Sequence, residues 1–192
     1  GWTWFKGMPE SRYITQYIVT GMGHLDHLGV KNIRSDYKTW NMITKAVRYL
    51  DNRIRDDYEW LKKYDVDLDK DHISYTQIQY LYARSYFTDI KINDRNKEAY
   101  NYYLNQAKKY WLNKSRYMQG MIALALSRAE SDKQVIPQKI MASLKENDNR
   151  LFNKTMILFV VNNLQLSNVE IKVENKETMT FLKRIIDKCP TD

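Results

Sequence analysis

Six stretches between residues 9 and 147 carry apolar residues every three or four positions, and only short polar connections separate them. Such spacing, at about 100° per residue, gathers side chains on one stripe of a helix. The strongest stripe is Trp40, Ile43, Val47, Leu50, Ile54, Tyr58 and Leu61, which predicts a long helix capped near Ser35 or Asp36 and ending around Lys63. Before it, Tyr13, Ile14, Tyr17, Ile18, Met22 and Leu25 predict an opening helix that stops at Gly29. Its buried face is expected under a lid formed by Trp2, Trp4 and Phe5. After it, Ser74 with Gln77 three residues on reads as a capping box for a third helix carrying Ile78, Leu81, Tyr82 and Tyr86. Ala99, Tyr103, Ala107, Tyr110 and Trp111 mark a fourth helix, and Met118, Met121, Ile122, Leu124, Ala125 and Leu126 a fifth, buried on most sides. In the sixth, Asp132 is the candidate cap, Pro137 is tolerable near the first turns, and Val135, Ile136, Ile140, Met141 and Leu144 form the inner face.

Six helices joined by short links fold back as three antiparallel pairs. The fold class is therefore all-α, with helical hairpins stacked as an open, curved, partial α/α toroid over residues 1–147. Only six Gly and three Pro in 192 residues suit long helices better than a turn-rich sandwich. Residues 148–192 read as a divergent tail packing on or capping the hairpins. LFNKTMILFVVNNLQL is ambiguous between helix and strand, NVEIKVEN alternates like a short strand, and ETMTFLKRIIDK reads as a last helix.

The net charge of +8 is uneven, with nine basic and eleven acidic residues over 51–100 but nine and four over 101–150. The cations scatter along helix faces instead of forming one stripe, which argues against a nucleic-acid partner. No 18-residue apolar run occurs, so the chain is not expected to span a membrane. The one cysteine, Cys189, has no internal disulfide partner.

Three acidic or imidazole groupings invite chemical readings. His24, Asp26 and His27 echo half of a zinc-hydrolase motif, but Met22 stands where a further histidine belongs, and a zinc site needs three or four ligands. Asp65, Asp67, Asp69 and Asp71 alternate like a calcium loop. Counted from Asp65, however, Lys70 replaces the turn glycine and Thr76 the bidentate glutamate, leaving calcium binding open. Asp56, Asp57 and Glu59 resemble the acidic box of terpene cyclases with the wrong spacing, and Arg53 and Arg55 flank them. These readings leave no catalytic, metal or cofactor residue assigned. Trp2, Trp4, Phe5, Tyr13 and Tyr17 remain as an aromatic cluster for packing or for an interaction, since Trp and Tyr are frequent interface anchors.

GWTWFKG followed by SRYITQYIVTGMGHL, then YTQIQYLYARSYF, then YWLNKSRYMQGMIALALSRAE, and IMASLKEN resemble consecutive blocks of the bacterial α2-macroglobulin family. They are similar to its large helical domain, the counterpart of the thioester domain of complement proteins, in the form found in Bacteroides-like bacteria. The resemblance covers residues 1–147. It implies an α/α toroid within a periplasmic or cell-surface protein that traps or inhibits proteases. Some members also bond covalently through a CxEQ thioester motif. This chain has no such motif, and Cys189 in KCPTD does not stand in for it.

The expected role is thus a non-catalytic structural and interaction domain whose partners are proteases or other domains of a larger parent. A homodimer through an exposed hairpin face is also expected, because three pairs cannot close a ring alone. The competing readings are an enzyme on a toroidal scaffold, carbohydrate-active or cyclase-like, and a peptide-binding helical solenoid using the tyrosine-rich third and fourth helices.

Overall fold

The computed structural model describes residues 1–30, 32–130 and 135–146. The expectations for 148–192 and for Asp132 lie outside these residues. Seven α-helices make up the described fold: α1 (Arg12–His27), α2 (Asn32–Ser35), α3 (Tyr37–Lys63), α4 (Tyr75–Arg84), α5 (Asp94–Tyr110), α6 (Arg116–Ala129) and α7 (Val135–Glu146). Short 3-10 turns at Ser85–Phe87 and Trp111–Asn113 end α4 and α5. The fold is all-α, and among the described residues the only β pairing is a single antiparallel bridge between Trp2 and Ser11.

Four of the helices, α1, α3, α4 and α6, begin where the sequence supplies a cap. Asp36 accepts from the backbone N–H of Thr39 at 2.8 Å to start α3, and the Gln77 Oε1 accepts from the Ser74 N–H at 3.1 Å to start α4. Ser11 and Ser115 cap α1 and α6 through the N–H groups of Ile14 and Met118. Gly29, at φ +80°, follows α1 in the left-handed region that suits glycine.

Hydrogen bonds between helices give their relative directions. Gln16 donates to the carbonyl of Thr76 and His24 meets the Tyr82 hydroxyl, so residue numbers rise together along α1 and α4. Arg128 reaches Ser85 at the far ends of α6 and α4, while Tyr117 lies near Tyr75 at their starts. These helices are therefore also parallel. Asn52 with Arg95 and Tyr58 with Glu98 show the same for α3 and α5. By contrast, Arg12 at the start of α1 meets Asp57 late in α3, and Arg116 at the start of α6 meets Ser143 late in α7. The result is two layers of opposite direction. One is α1, α4 and α6 side by side; the other includes α3 and α5, and α7 packs antiparallel on α6.

Between the layers lies one core. Ile43, Val47, Leu50 and Ile54 of α3 are fully or almost fully buried, as are Ile78 and Leu81 of α4, Ile122, Leu124 and Leu126 of α6, and Ile140 and Leu144 of α7. Each such side chain contributes about 1.5–3 kcal/mol relative to exposure. Inside this apolar layer sits an ion pair, Asp51 with Arg84, in which Oδ1 of Asp51 also accepts from the Tyr80 hydroxyl at 2.7 Å.

The opening helix departs from its predicted stripe. Its buried residues are Thr15, Gln16, Val19 and Gly23, whereas Tyr13, Tyr17 and Leu25 are exposed. The buried face is set by what it must touch. Thr15 Oγ1 accepts from Trp2 N–H, Gln16 joins Arg12 to Thr76, and Gly23 admits a neighbouring ring. The lid is likewise partial: Trp2 is half-buried against the core, but Trp4 and Phe5 stand in solvent. Val135, expected on the inner face of the last helix, is exposed, and Tyr86 falls in the 3-10 turn after α4.

Candidate interaction surface

Because α1, α4 and α6 run the same way, their first turns lie side by side. Tyr13 on α1, Tyr75 on α4 and Tyr117 on α6 face solvent there, and Tyr17 continues the row one turn along α1. Trp4 extends it, stacking on Tyr13 with centroids 6.4 Å apart and planes 11° from parallel. These five aromatic residues are between 40% and 66% exposed. Burial raises the Tyr75 hydroxyl above its ordinary range, and Tyr117 and Tyr13 push the same way. None of the three helices has an acidic residue in its first turn. The row is thus aromatic with hydroxyl tips and set at the positive ends of three helices.

Of the predicted aromatic cluster, the structure places Trp4, Tyr13 and Tyr17 in this row. Trp2 instead belongs to packing, and Phe5 is 72% exposed on the turn that leads to Gly7. Sequence reading missed Tyr75 and Tyr117. The available signal was that Tyr75 stands one residue and Tyr117 two residues after a helix-capping serine, which puts both in the first turns of neighbouring helices.

The opposite end of the layer has a different character. His24 Nε2 lies 2.9 Å from the Tyr82 hydroxyl, which in turn lies 2.7 Å from that of Tyr86. The Arg128 guanidinium sits over the Tyr86 ring at 3.9 Å. Burial lowers the His24 pKa, and Arg128 and His27 push the same way. Asp26, the remaining residue of that motif, pairs with Arg34 at 2.8 Å instead of turning toward either imidazole.

The other acidic groupings are tied into the frame. Asp57 accepts from Arg12 at 2.7 Å and from Gln77 at 2.8 Å, joining α1, α3 and α4. Asp56 pairs with Arg53 and Arg55, and Glu59 with Lys62. Around the aspartate loop, Lys114 holds Asp71 at 2.8 Å, Lys109 approaches Asp69 at 3.7 Å, and Lys70 approaches Asp67 at 3.9 Å. Tyr102 and Gln106 hold the loop's Leu68 carbonyl, each at 3.1 Å. Among the described residues, no group of three or more His, Cys, Asp or Glu side chains is placed to hold a metal ion. Nor, among them, is any helix long and apolar enough to cross a membrane.

Comparisons with protein-family models, with curated proteins and with solved structures find no match for the chain.

Proposed function

We propose that the chain is a non-catalytic structural and interaction domain, the helical frame of a bacterial α2-macroglobulin-like protein that helps hold proteases without a thioester. The observation that carries this reading is the continuous exposed row Trp4, Tyr13, Tyr17, Tyr75 and Tyr117 across three parallel helices. Exposed clusters of Trp and Tyr mark protein-contact surfaces, because each ring offers a large contact area at small entropic cost. Two layers of hairpins with one direction in each layer are also the arrangement from which a partial α/α toroid is built. The sequence resemblance puts such a frame in the periplasm or at the cell surface, with proteases or neighbouring modules of a parent protein, or a second copy, as its partners.

An enzyme on the same scaffold is less well supported, because Asp51, Asp56, Asp57, Glu59 and Asp71 are engaged in the ties described above. A peptide-binding solenoid built on α4 and α5 would need their tyrosines free. Instead Tyr80, Tyr82 and Tyr103 are buried, and Tyr102 is anchored to the Leu68 carbonyl.

A pull-down with a protease, using the chain with and without the bait-bearing remainder of a parent protein, tests the reading. Retention of protease only by the combined parts, and its loss in the triple variant Tyr13→Ala, Tyr75→Ala, Tyr117→Ala, is the expected result. Capture of an extended peptide by the chain alone, or wild-type retention by the triple variant, would overturn it.

A further inference from the structure

A cleft of about 420 Å³ opens between the turn that follows α4, one face of α5 and the last turn of α6. This volume lies in the ordinary range of small-molecule sites. Ile90, Ile92, Ala129 and the ring of Tyr100 supply apolar walls, and Thr88, Asn101, Lys91 and Lys97 supply polar groups around them. The floor is fixed in advance. Arg84, buried beneath the cleft, donates to the carbonyls of Phe87 and Ile90 and to Asp51, so the turn carrying Thr88, Ile90 and Lys91 is clamped to the core. An edge-on contact with Tyr80, 6.5 Å between centroids, orients the Tyr100 ring.

The groups facing the cleft have unused hydrogen-bonding capacity. Among the described residues the Tyr100 hydroxyl forms no hydrogen bond and Lys91 forms no ion pair. Lys97 pairs with Asp94, an i,i+3 partner whose side chain is 86% exposed, and Lys91 acts on the same carboxylate from farther away, so one solvated acid faces two ammonium groups. The other nearby acids are already neutralised: Asp51 by Arg84, Asp89 by Arg34 at 2.6 Å and Glu130 by Lys108 at 2.6 Å. Two ammonium groups at a cleft with one apolar wall, whose neighbouring carboxylates are paired, favour an anion with a short apolar body.

We propose that this cleft is a binding site for a small organic carboxylate with a short apolar chain, its head between Lys91, Lys97 and the Tyr100 hydroxyl and its body against Ile90, Ile92 and Ala129. The site is separate from the aromatic row and stands or falls independently of the docking role.

Two-dimensional NMR of the full 192-residue chain titrated with hexanoate tests it. Saturable shifts confined to residues 88–92, 97–101 and 129 are expected. The double variant Lys91→Ala, Lys97→Ala, changed only at exposed positions, should weaken binding about tenfold, and Tyr100→Phe about threefold, as loss of charge-assisted and neutral hydrogen bonds predicts. 1-Hexanol and inorganic phosphate are the control probes. Binding of hexanol as tight as hexanoate would remove the role of the lysines, and phosphate as tight as hexanoate would remove that of the apolar wall. Either result, or shifts unchanged in the double lysine variant, overturns the proposal.

Discussion

Gly23 of α1 lies directly against the ring of Tyr86: a Cβ built on the glycine would meet Tyr86 Cγ at 2.5 Å and Cδ2 at 2.7 Å. The contact brings α1 close enough to the 3-10 turn for His24 to reach Tyr82. Gly21, two residues earlier on the same helix, meets nothing within 4 Å. The two glycines should therefore respond oppositely to the same change. Gly23→Ala is expected to destabilise by about 1–3 kcal/mol through overpacking. Gly21→Ala should stabilise by up to about 1 kcal/mol through helix propensity. Urea unfolding of both variants checks the pair, and equal effects would show that the Tyr86 contact does not constrain α1.

Asp51 and Arg84 are 33 residues apart in sequence, with side chains 2% and 4% exposed and Nε 3.1 Å from Oδ1. Removing only the acid, in Asp51→Ala, leaves a buried guanidinium short of its counter-charge and should cost about 3–5 kcal/mol. For an isolated buried pair, replacing both partners with apolar groups recovers most of that loss. Here Arg84 also serves the Phe87 and Ile90 carbonyls, so the double variant Asp51→Ala, Arg84→Met should stay at least as destabilised as the single one. Recovery of stability in the double variant would show those carbonyl bonds to be dispensable.

His24 gives the fold a signed response to acid. Its folded pKa lies below 6.5 because burial, then Arg128, then His27 disfavour the cation. Unfolded chains, with an ordinary imidazole, take up the proton first as pH falls. The stability linked to this group is complete above about pH 6.5 and is lost as pH drops from there toward the depressed folded value. Urea midpoints measured from pH 7.5 to 5.5 should therefore fall more steeply for the wild-type chain than for His24→Gln. Parallel curves would assign the acid response to other groups.

The aromatic row should be separable from stability. Tyr13 and Tyr117 are exposed and lie outside the core, so Tyr13→Ala and Tyr117→Ala are expected to shift unfolding free energy by no more than about 0.5–1 kcal/mol. A thermal melt near that of the wild type, together with lost protease retention in the full assembly, is the anticipated outcome. A large drop in Tm would mean that these rings serve packing.

How much of this was legible in the sequence depended on what each helix buries. In α3 the buried positions are aliphatic and evenly spaced, so both of its ends and its stripe followed from Ile43, Val47, Leu50, Ile54 and Leu61. In α1 the buried positions are Thr15, Gln16 and Gly23 beside a single valine, chosen for hydrogen bonding and close approach. A hydropathy stripe therefore pointed to Tyr13 and Tyr17, on the wrong side. The four-residue α2 is too short to show a period. Asp51 and Arg84 each look like one more surface charge until the fold brings them together. His24 and Asp26, two residues apart in a motif-like string, are drawn apart by Tyr82 and Arg34.

The clamp that Arg84 places on the segment after α4 has a kinetic consequence. A short connector between two α-helices ordinarily opens by itself, and its amide protons exchange quickly with solvent. Here, freeing residues 85–90 means stripping a buried guanidinium from Asp51 and from two carbonyls at once. Local opening there is tied to breaking the centre of the molecule, so the amide protons of this connector should exchange as slowly as those of the buried helices it is fastened to.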